Sequence, residues 1–318
     1  MRYLLKSKRK NLNKLVGNRA MQKRFKQYEV LKWASLFLEK YKREPKVAEL
    51  LLQHHLGINR AEFFARMQEP VDHELLLNFE DDLINHAITG VPVQHLIGYE
   101  IFYGREFLVN QHVLIPRPET EELIEHVLSY VRKNVSLNKP LTIVDVGTGS
   151  GIIAITLALE LENVNVYGTD ISEKALEVAK QNAENLQADV KLFQGDFLTP
   201  IIEQKLKACI IVSNPPYIAT SEMGELSDTV KNFDPSIALF AEEQGLGAYK
   251  KIVSQLPDCV NNTNEASSVF LEIGQSQGTS VMNILKEAFP ESNPATFKDI
   301  NQKDRIVHCR VNVKNKDY

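Results

Sequence analysis

Apolar positions along this chain follow two rhythms. From Met21 to about Gly90 they recur every three or four residues, and strand-like runs are absent. The segments VLKWASLFLEKYKR, VAELLLQHHLG and HELLLNFEDDLINHAITG each gather their apolar side chains on one helical face, which predicts three amphipathic helices. Asn59 and Asp72 stand where N-caps belong, and Gly57 and Gly90 stand where helices stop. A small helical bundle is expected over residues 21–90.

From Leu141 onward the rhythm changes. LTIVDVG, VNVYGTD, VKLFQGD, ACIIVSN and SVFLEIG are short apolar runs, and the four intervals between them carry helical periodicity. That alternation implies a parallel sheet with helices on both faces. The last two runs, ATFKDI and RIVHCRVNV, are separated only by NQKD, which is too short for a crossover helix, so they must pair antiparallel. Between the two regimes lies a bridge, residues 91–120, within VPVQHLIGYEIFYGREFLVNQHVLIPRPETEE. Its alternation about Tyr103–Gly104–Arg105 predicts a hairpin, and Thr120 is expected to open an acidic helix. The fold class is therefore α/β. A Rossmann-like parallel sheet ending in an antiparallel hairpin, residues 121–318, follows a helical bundle.

Charge sharpens this picture only when it is divided. Residues 1–20 carry seven Lys or Arg and no acid, so the rest of the chain holds 30 basic against 41 acidic residues. A body with that acidic excess is poorly suited to wrapping a nucleic-acid backbone, which requires phosphate neutralisation. The basic segment could serve as a nucleic-acid arm or an organellar transit peptide, but it is richer in Lys and Asn than in the Ser and Arg of transit peptides and reads first as a solvated extension ahead of a second possible start at Met21. Cys209, Cys259 and Cys309 are widely spaced, and no histidine or cysteine pair has metal-ligand spacing; His54 and His55 flank a helix end. No metal site is expected. The longest uncharged stretch near the middle, Val146 to Leu159, is too short to span a bilayer, and no hydrophobic signal opens the chain. A reducing, cytoplasmic compartment is expected.

Ligands of open α/β sheets bind beyond the carboxyl ends of the strands. There the chain places DVGTGSG (145–151), Asp170, Asp196–Phe197 and NPPY (214–217). The spacing G-x-G-x-G, through Gly147, Thr148, Gly149, Ser150 and Gly151, departs from the G-x-G-x-x-G of dinucleotide sites and matches a pyrophosphate poorly. Asp170 can accept from both hydroxyls of a ribose, or cap the helix that follows, although Ser172 already supplies that cap. Asp196 and Phe197 offer an acceptor and an aromatic face to an adenine. Together these residues outline a pocket for an adenosine without phosphates, as in S-adenosylmethionine. At NPPY, two residues without an N–H donor end a buried strand. Asn214 and the Pro215 carbonyl can each take one N–H of a planar amino group, with Pro216 stiffening the turn and Tyr217 packing on the group. Asn214 also borders the cofactor pocket. Such a site needs no strong base, because positioning and aligned dipoles let the nitrogen lone pair localise in the transition state.

NPPY resembles the motif of methyltransferases that act on planar amino groups. With LIPRPETEELIE, SNPPYI, DPSIALF, GLGAYKKIV, FLEIGQSQG and KDINQKDR, the stretch from Met21 to Val311 is similar to the HemK/PrmC family of peptide chain release factor glutamine methyltransferases. The resemblance implies a class I S-adenosylmethionine-dependent fold. It also implies methylation of N5 of the glutamine in the Gly-Gly-Gln loop of release factors, with no membrane and no direct nucleic-acid partner. Because a glutamine side chain is small and common, the bundle over 21–90 is expected to recognise the protein substrate. The chain departs from that family at Asp234–Pro235, where Glu-Pro is usual, at Ala241–Glu242, where a Gly-Gly pair is usual, and at Gln302, which replaces a glycine. Two other readings compete. NPPY also occurs in N6-adenine DNA or RNA methyltransferases, against which the acidic body and the lack of a base-reading basic domain count. A catalytically silent binding subunit is disfavoured by the intact glycine loop, Asp170 and NPPY.

Overall fold

The computed structural model describes residues 25–135, 139–260 and 266–312, so the basic segment 1–20 lies outside the described residues. The chain forms two compact units that divide between Ile97 and Gly98, within the bridge expected at 91–120.

The first unit is helical: Gln27–Lys40, Lys46–Leu56, Arg60–Ala65, His73–Thr89 and Val93–Ile97. Its caps are those the sequence predicts. Asn59 accepts from the Glu62 N–H at 3.0 Å while the Glu62 carboxylate takes the Asn59 N–H at 3.2 Å, closing a capping box. Asp72 accepts from the Glu74 N–H at 2.9 Å. Gly57 and Gly90 end their helices at φ +64° and +76°, a left-handed conformation that costs glycine little. Leu38, Leu51, Leu52, Phe63, Phe79 and Leu83 are fully buried between the helices, each contributing about 1.5–3 kcal/mol of apolar burial. His54 and His55 lie in the last turn of Lys46–Leu56, with His55 Nε2 at 2.9 Å from the Asp82 carboxylate. The segments 60–65 and 93–97 are too short to show a periodicity.

The second unit opens with the predicted hairpin, β1 (Tyr99–Phe102) and β2 (Arg105–Leu108). Tyr103 and Gly104 turn it at φ +51° and +72°, the paired left-handed geometry that matches strand twist. The helix Pro118–Asn134 begins two residues before the expected Thr120, because Pro118 is preset for the first helical position. Seven strands then form one sheet: β3 (Leu141–Val146), β4 (Val164–Asp170), β5 (Val190–Gln194), β6 (Ile210–Ser213), then, after the small-sheet strands β7 (Ile218–Ala219) and β8 (Phe240–Ala241), β9 (Ser267–Glu272), β10 (Ala295–Lys298) and β11 (Asp304–Val311). The order is β10-β11-β9-β6-β3-β4-β5, with β3 to β6 and β9 parallel. β10 and β11 pair antiparallel as predicted, and β11 also runs antiparallel against β9.

Both sheet faces are covered. Val144, Ile211, Val269 and Val307 pack on one side with the helices Gly247–Cys259 and Gly278–Ala288. Ile143, Val212, Phe270 and Ile306 pack on the other with Pro118–Asn134 and Ile152–Glu160. Buried on both faces, the central strands read as unbroken apolar runs. The two-residue strands β7 and β8, a parallel pair, were not foreseen, since two residues carry no period.

Candidate active site

The chain reverses its direction of strand addition at β3. β4 and β5 are laid down on one side of it and β6 on the other, so a crevice opens above the carboxyl ends of β3 and β6. A cavity of about 690 Å³ lies there, of a size usual for a small-molecule cofactor. Gly147, Thr148, Gly149, Ser150, Asp170, Asp196, Phe197, Asn214 and Pro216 all line it. Of the residues singled out in the sequence, Gly151, Pro215 and Tyr217 do not reach its wall.

The glycine loop is held by two carboxylates. Asp145, fully buried at the end of β3, accepts from the Thr148 hydroxyl at 2.6 Å and from the Ala154 N–H at 3.1 Å. Burial pushes its carboxyl up to about 7 against those two hydrogen bonds. Asp170 accepts from the Gly149 N–H and the Ser172 N–H, both at 2.9 Å, and its carboxyl is raised by burial. Asp170 shapes the loop and the following turn and lines the cavity, while the helix cap is Ser172, whose hydroxyl accepts from the Ala175 N–H at 3.2 Å. Gly147 and Gly149 sit at φ +73° and +56°, and a Cβ at either would meet nothing within 4 Å. Their freedom from side chains leaves loop backbone bare along the cavity. Gly151 serves packing instead, since a Cβ there would lie 2.8 Å from Ile155 and 3.2 Å from Ala179.

This donor set fits an adenosine without phosphates. An acid beside the loop repels a phosphate but suits a ribose diol, because two oxygens with about four lone-pair sites accept from two backbone donors and retain capacity. Asp196 is ion-paired with Lys251, and Phe197 takes φ +51° beside it. Lys250 is likewise paired with Glu243, so both lysines of this wall are engaged by acids.

On the other side of the crevice, β6 ends at Ser213, whose buried hydroxyl donates to the Val146 carbonyl at 2.6 Å. That bond ties the two strand ends where the prolines can donate nothing. Asn214 donates from Nδ2 to Thr120 Oγ1 at 3.1 Å, and Thr120 Oγ1 donates to Glu272 at 2.8 Å. Asn214 Oδ1 is buried and without a hydrogen-bond partner. Leaving such an acceptor unpaired costs about 1–3 kcal/mol, which an incoming N–H returns. The NPPY backbone is clamped from below: Gln277 Nε2 donates to the Tyr217 carbonyl at 2.9 Å, and the Gly274 N–H donates to Gln277 at 3.0 Å. Gly245, at φ +83°, passes so close that a Cβ would lie 2.2 Å from the Tyr217 oxygen. The Tyr217 ring packs with the hydrophobic core on the Tyr249 side of the sheet, which accounts for its absence from the cavity wall. Arg117, from IPRPETE, pairs at 2.8 Å with the nearly buried Asp234 of the Asp-Pro departure. Gln302, the glycine replacement, adopts φ +62°, the conformation a glycine would take most cheaply.

Asp145, Arg117, Gln277 and Glu272 were not singled out from the sequence, and Thr120 was read only as a helix start. For Asp145 a signal existed, an acid at the end of an apolar strand, two residues before the first glycine. The others act across long sequence separations.

The strand order, the bare glycine loop over an acid and the amide at the facing strand end define an S-adenosylmethionine-dependent methyltransferase. Residues 29–98 match the PrmC N-terminal domain family and residues 127–232 the methyltransferase small domain family. The chain is 46% identical over 289 residues to the release factor glutamine methyltransferase of Bacillus subtilis, covering 91% of this chain and 99% of that one. It is 37% identical to the enzyme of that name from Enterococcus faecalis, over 90% of this chain and 99% of that one. This chain belongs to the release factor glutamine methyltransferase family.

Proposed function

We infer that the protein transfers a methyl group from S-adenosylmethionine to the side-chain amide nitrogen, N5, of the glutamine in the Gly-Gly-Gln loop of peptide chain release factors. The observation that carries the reading is the buried, unpartnered Oδ1 of Asn214, in a side chain that lines the cavity shared with the glycine loop. When bound, the cofactor supplies an electrophilic methyl group. Gly147 and Gly149 give it close backbone approach, Asp170 its ribose acceptor, and Asp196 and Phe197 a border for its base. Asn214 Oδ1 takes one N–H of the substrate amide, and the stiff NPPY backbone orients the other. An amide nitrogen is a poor nucleophile because its lone pair is delocalised, and acceptors fixed in advance favour the localised form that develops in the transition state.

Among the described residues no helix is long and apolar enough to cross a membrane and no cluster suits a metal ion. Cytoplasmic action is part of the reading, and so is the absence of a nucleic-acid partner, given the acidic excess outside residues 1–20. The helical unit is assigned to substrate recognition. Its loss should lower kcat/KM toward release factor by orders of magnitude while cofactor affinity holds.

The test is to incubate the protein with methyl-labelled S-adenosylmethionine and purified release factor, with DNA in a parallel reaction. One methyl on one release-factor glutamine is expected. Label on DNA, or on neither, would overturn the reading.

A further inference from the structure

The Asn214 amide has two faces that differ only in which atom is a donor, and its usefulness depends on which of them is free. Thr120 and Glu272 decide this by proton count. A threonine hydroxyl holds one proton and two lone pairs. An ionised carboxylate has no proton and can only accept. Thr120 and Glu272 are each 1% exposed, and they meet at 2.8 Å with no water-facing alternative for that proton. Once the Thr120 proton is committed to Glu272, its oxygen can only accept, and the group it accepts from is Asn214 Nδ2 at 3.1 Å. The amide is thereby fixed with Oδ1 as its remaining atom.

We propose that Thr120 and Glu272 are positioning residues for methyl transfer, setting the rotamer of the Asn214 amide so that its oxygen is presented to the substrate nitrogen. This rests on the function proposed above and names the part of the fold that orients its acceptor. Neither residue touches the reacting atoms; both act through Asn214.

A second consequence concerns protonation. A protonated Glu272 can itself donate to Thr120, which frees the threonine proton to reach the amide oxygen and favours the flipped amide. The groups facing Glu272 come from every side. Thr120 and Glu119 lie on one helix, Asn214 and Tyr217 at the end of β6, and Arg305 on β11, and the Tyr249 hydroxyl bonds the Glu272 backbone carbonyl. Burial pushes the Glu272 carboxyl up to about 7, against the stabilising Arg305 charge and the Thr120 and Asn214 contacts. Arg305 is itself held by Asp299 at 3.2 Å.

Three variants of the full chain test the proposal: Thr120→Val, Thr120→Ser and Glu272→Gln. Thr120→Val keeps the shape and removes the proton. It should lower kcat roughly 10- to 100-fold, as misplacement of a reacting partner does, with cofactor affinity within a few-fold. Thr120→Ser should restore most of kcat. In the wild type kcat should rise with pH as Glu272 ionises, and Glu272→Gln should lose that limb. Independently of any substrate, the ¹⁵N-labelled side-chain NH2 signal of Asn214, assigned by its disappearance in Asn214→Ala, should titrate with Glu272 in the wild type and stop doing so in Glu272→Gln. Wild-type kcat in Thr120→Val, or an unchanged Asn214 titration in Glu272→Gln, would overturn the proposal. A wild type that titrates at Asn214 but leaves release factor unmethylated would overturn the assigned substrate and leave the positioning role standing.

Discussion

At the glycine-loop end of the cavity the contacts that fix the polar groups are close in sequence. Asp145 reaches Thr148 and Ala154, three and nine residues away, and Asp170 reaches Ser172 and Gly149, two and 21 residues away. At the asparagine end they are remote, since Asn214 meets Thr120 across 94 residues and Thr120 meets Glu272 across 152. The partners differ too. Backbone N–H groups, with the Thr148 hydroxyl, hold the carboxylates of the loop, whereas side chains alone orient the amide; each end keeps one buried acceptor unpaired, Asp145 Oδ1 and Asn214 Oδ1. A cofactor that never changes can be held by a locally encoded cradle. A reacting nitrogen that must be gripped harder in the transition state requires an acceptor set by tertiary structure.

On that division, damage at the two ends should separate into turnover and affinity. The largest effect is expected from Asn214→Ala, which should lower kcat by about 10²–10³, the usual loss for one preorganised polar group, with cofactor affinity within a few-fold. Near-normal kcat measured on release factor would reduce Asn214 to a turn residue and erase the contrast. Next in size is Asp170→Ala. Losing charge-assisted hydrogen bonds there should weaken cofactor binding by about 1.5–3 kcal/mol in calorimetry. Unchanged affinity in a folded variant would remove Asp170 from the cofactor site.

Gly245→Ala sharpens the contrast at the level of backbone. Alanine at φ +83° is strained by roughly 1–2 kcal/mol, and its Cβ would press on the Tyr217 carbonyl. That carbonyl is what Gln277 holds, so the disturbance should pass into NPPY. We expect kcat to fall by roughly 10-fold, by the sensitivity of positioned groups to small displacements, and cofactor affinity to change less. A larger change in affinity than in kcat would show that the clamp serves the cofactor.

The same contrast explains what was legible in the sequence. Caps at Asn59 and Asp72, the Tyr103–Gly104 hairpin and the alternation of strands and helices depend on neighbours within a few residues, so local physics reveals them. The glycine loop and Asp170 are likewise marked by strand ends that a period can locate. Thr120 gave no such signal: it was expected only to open an acidic helix, and only the fold buries it against Asn214. Glu272 was hidden inside the run SVFLEIG, where an acid in a buried strand is costly unless something far away satisfies it. Here Thr120 bonds its carboxylate while the Tyr249 hydroxyl takes its backbone carbonyl, and neither partner is a sequence neighbour. Tyr217 was read as a substrate-facing ring from its motif, and the motif does not say which side of the turn the ring takes.

Both ends nevertheless share one device, a buried carboxyl, and the smallest predicted effect follows from it. Asp145 and Glu272 are each raised by burial to about 7, well above their ordinary carboxylate values. Between those ordinary values and about 7 the native protein holds protons that the unfolded chain has released. The contribution of these two carboxyls to the unfolding free energy therefore falls as pH rises through this window and levels off above about 7, while His86, His126 and His308, lowered by burial, pull the other way. The contribution is fully present at low pH and lost on ionisation, the reverse of a salt-bridged acid. Asp145→Asn should remove the part of that falling contribution that belongs to the glycine loop, and Glu272→Gln the other part, so that between pH 5 and 7 the stability of the double variant should fall less, or rise more, with pH than that of the wild type. Thermal melts would register each part as a change in Tm of a few degrees, at roughly 2–4 °C per kcal/mol for a domain of this size. The two carboxyls should part company in function. Asp145→Asn should disturb cofactor affinity through the loop it pins, and Glu272→Gln should disturb the pH profile of turnover through Asn214. A single variant that removed the whole of that falling contribution, or that moved affinity and turnover together, would mean that the two ends are one coupled unit.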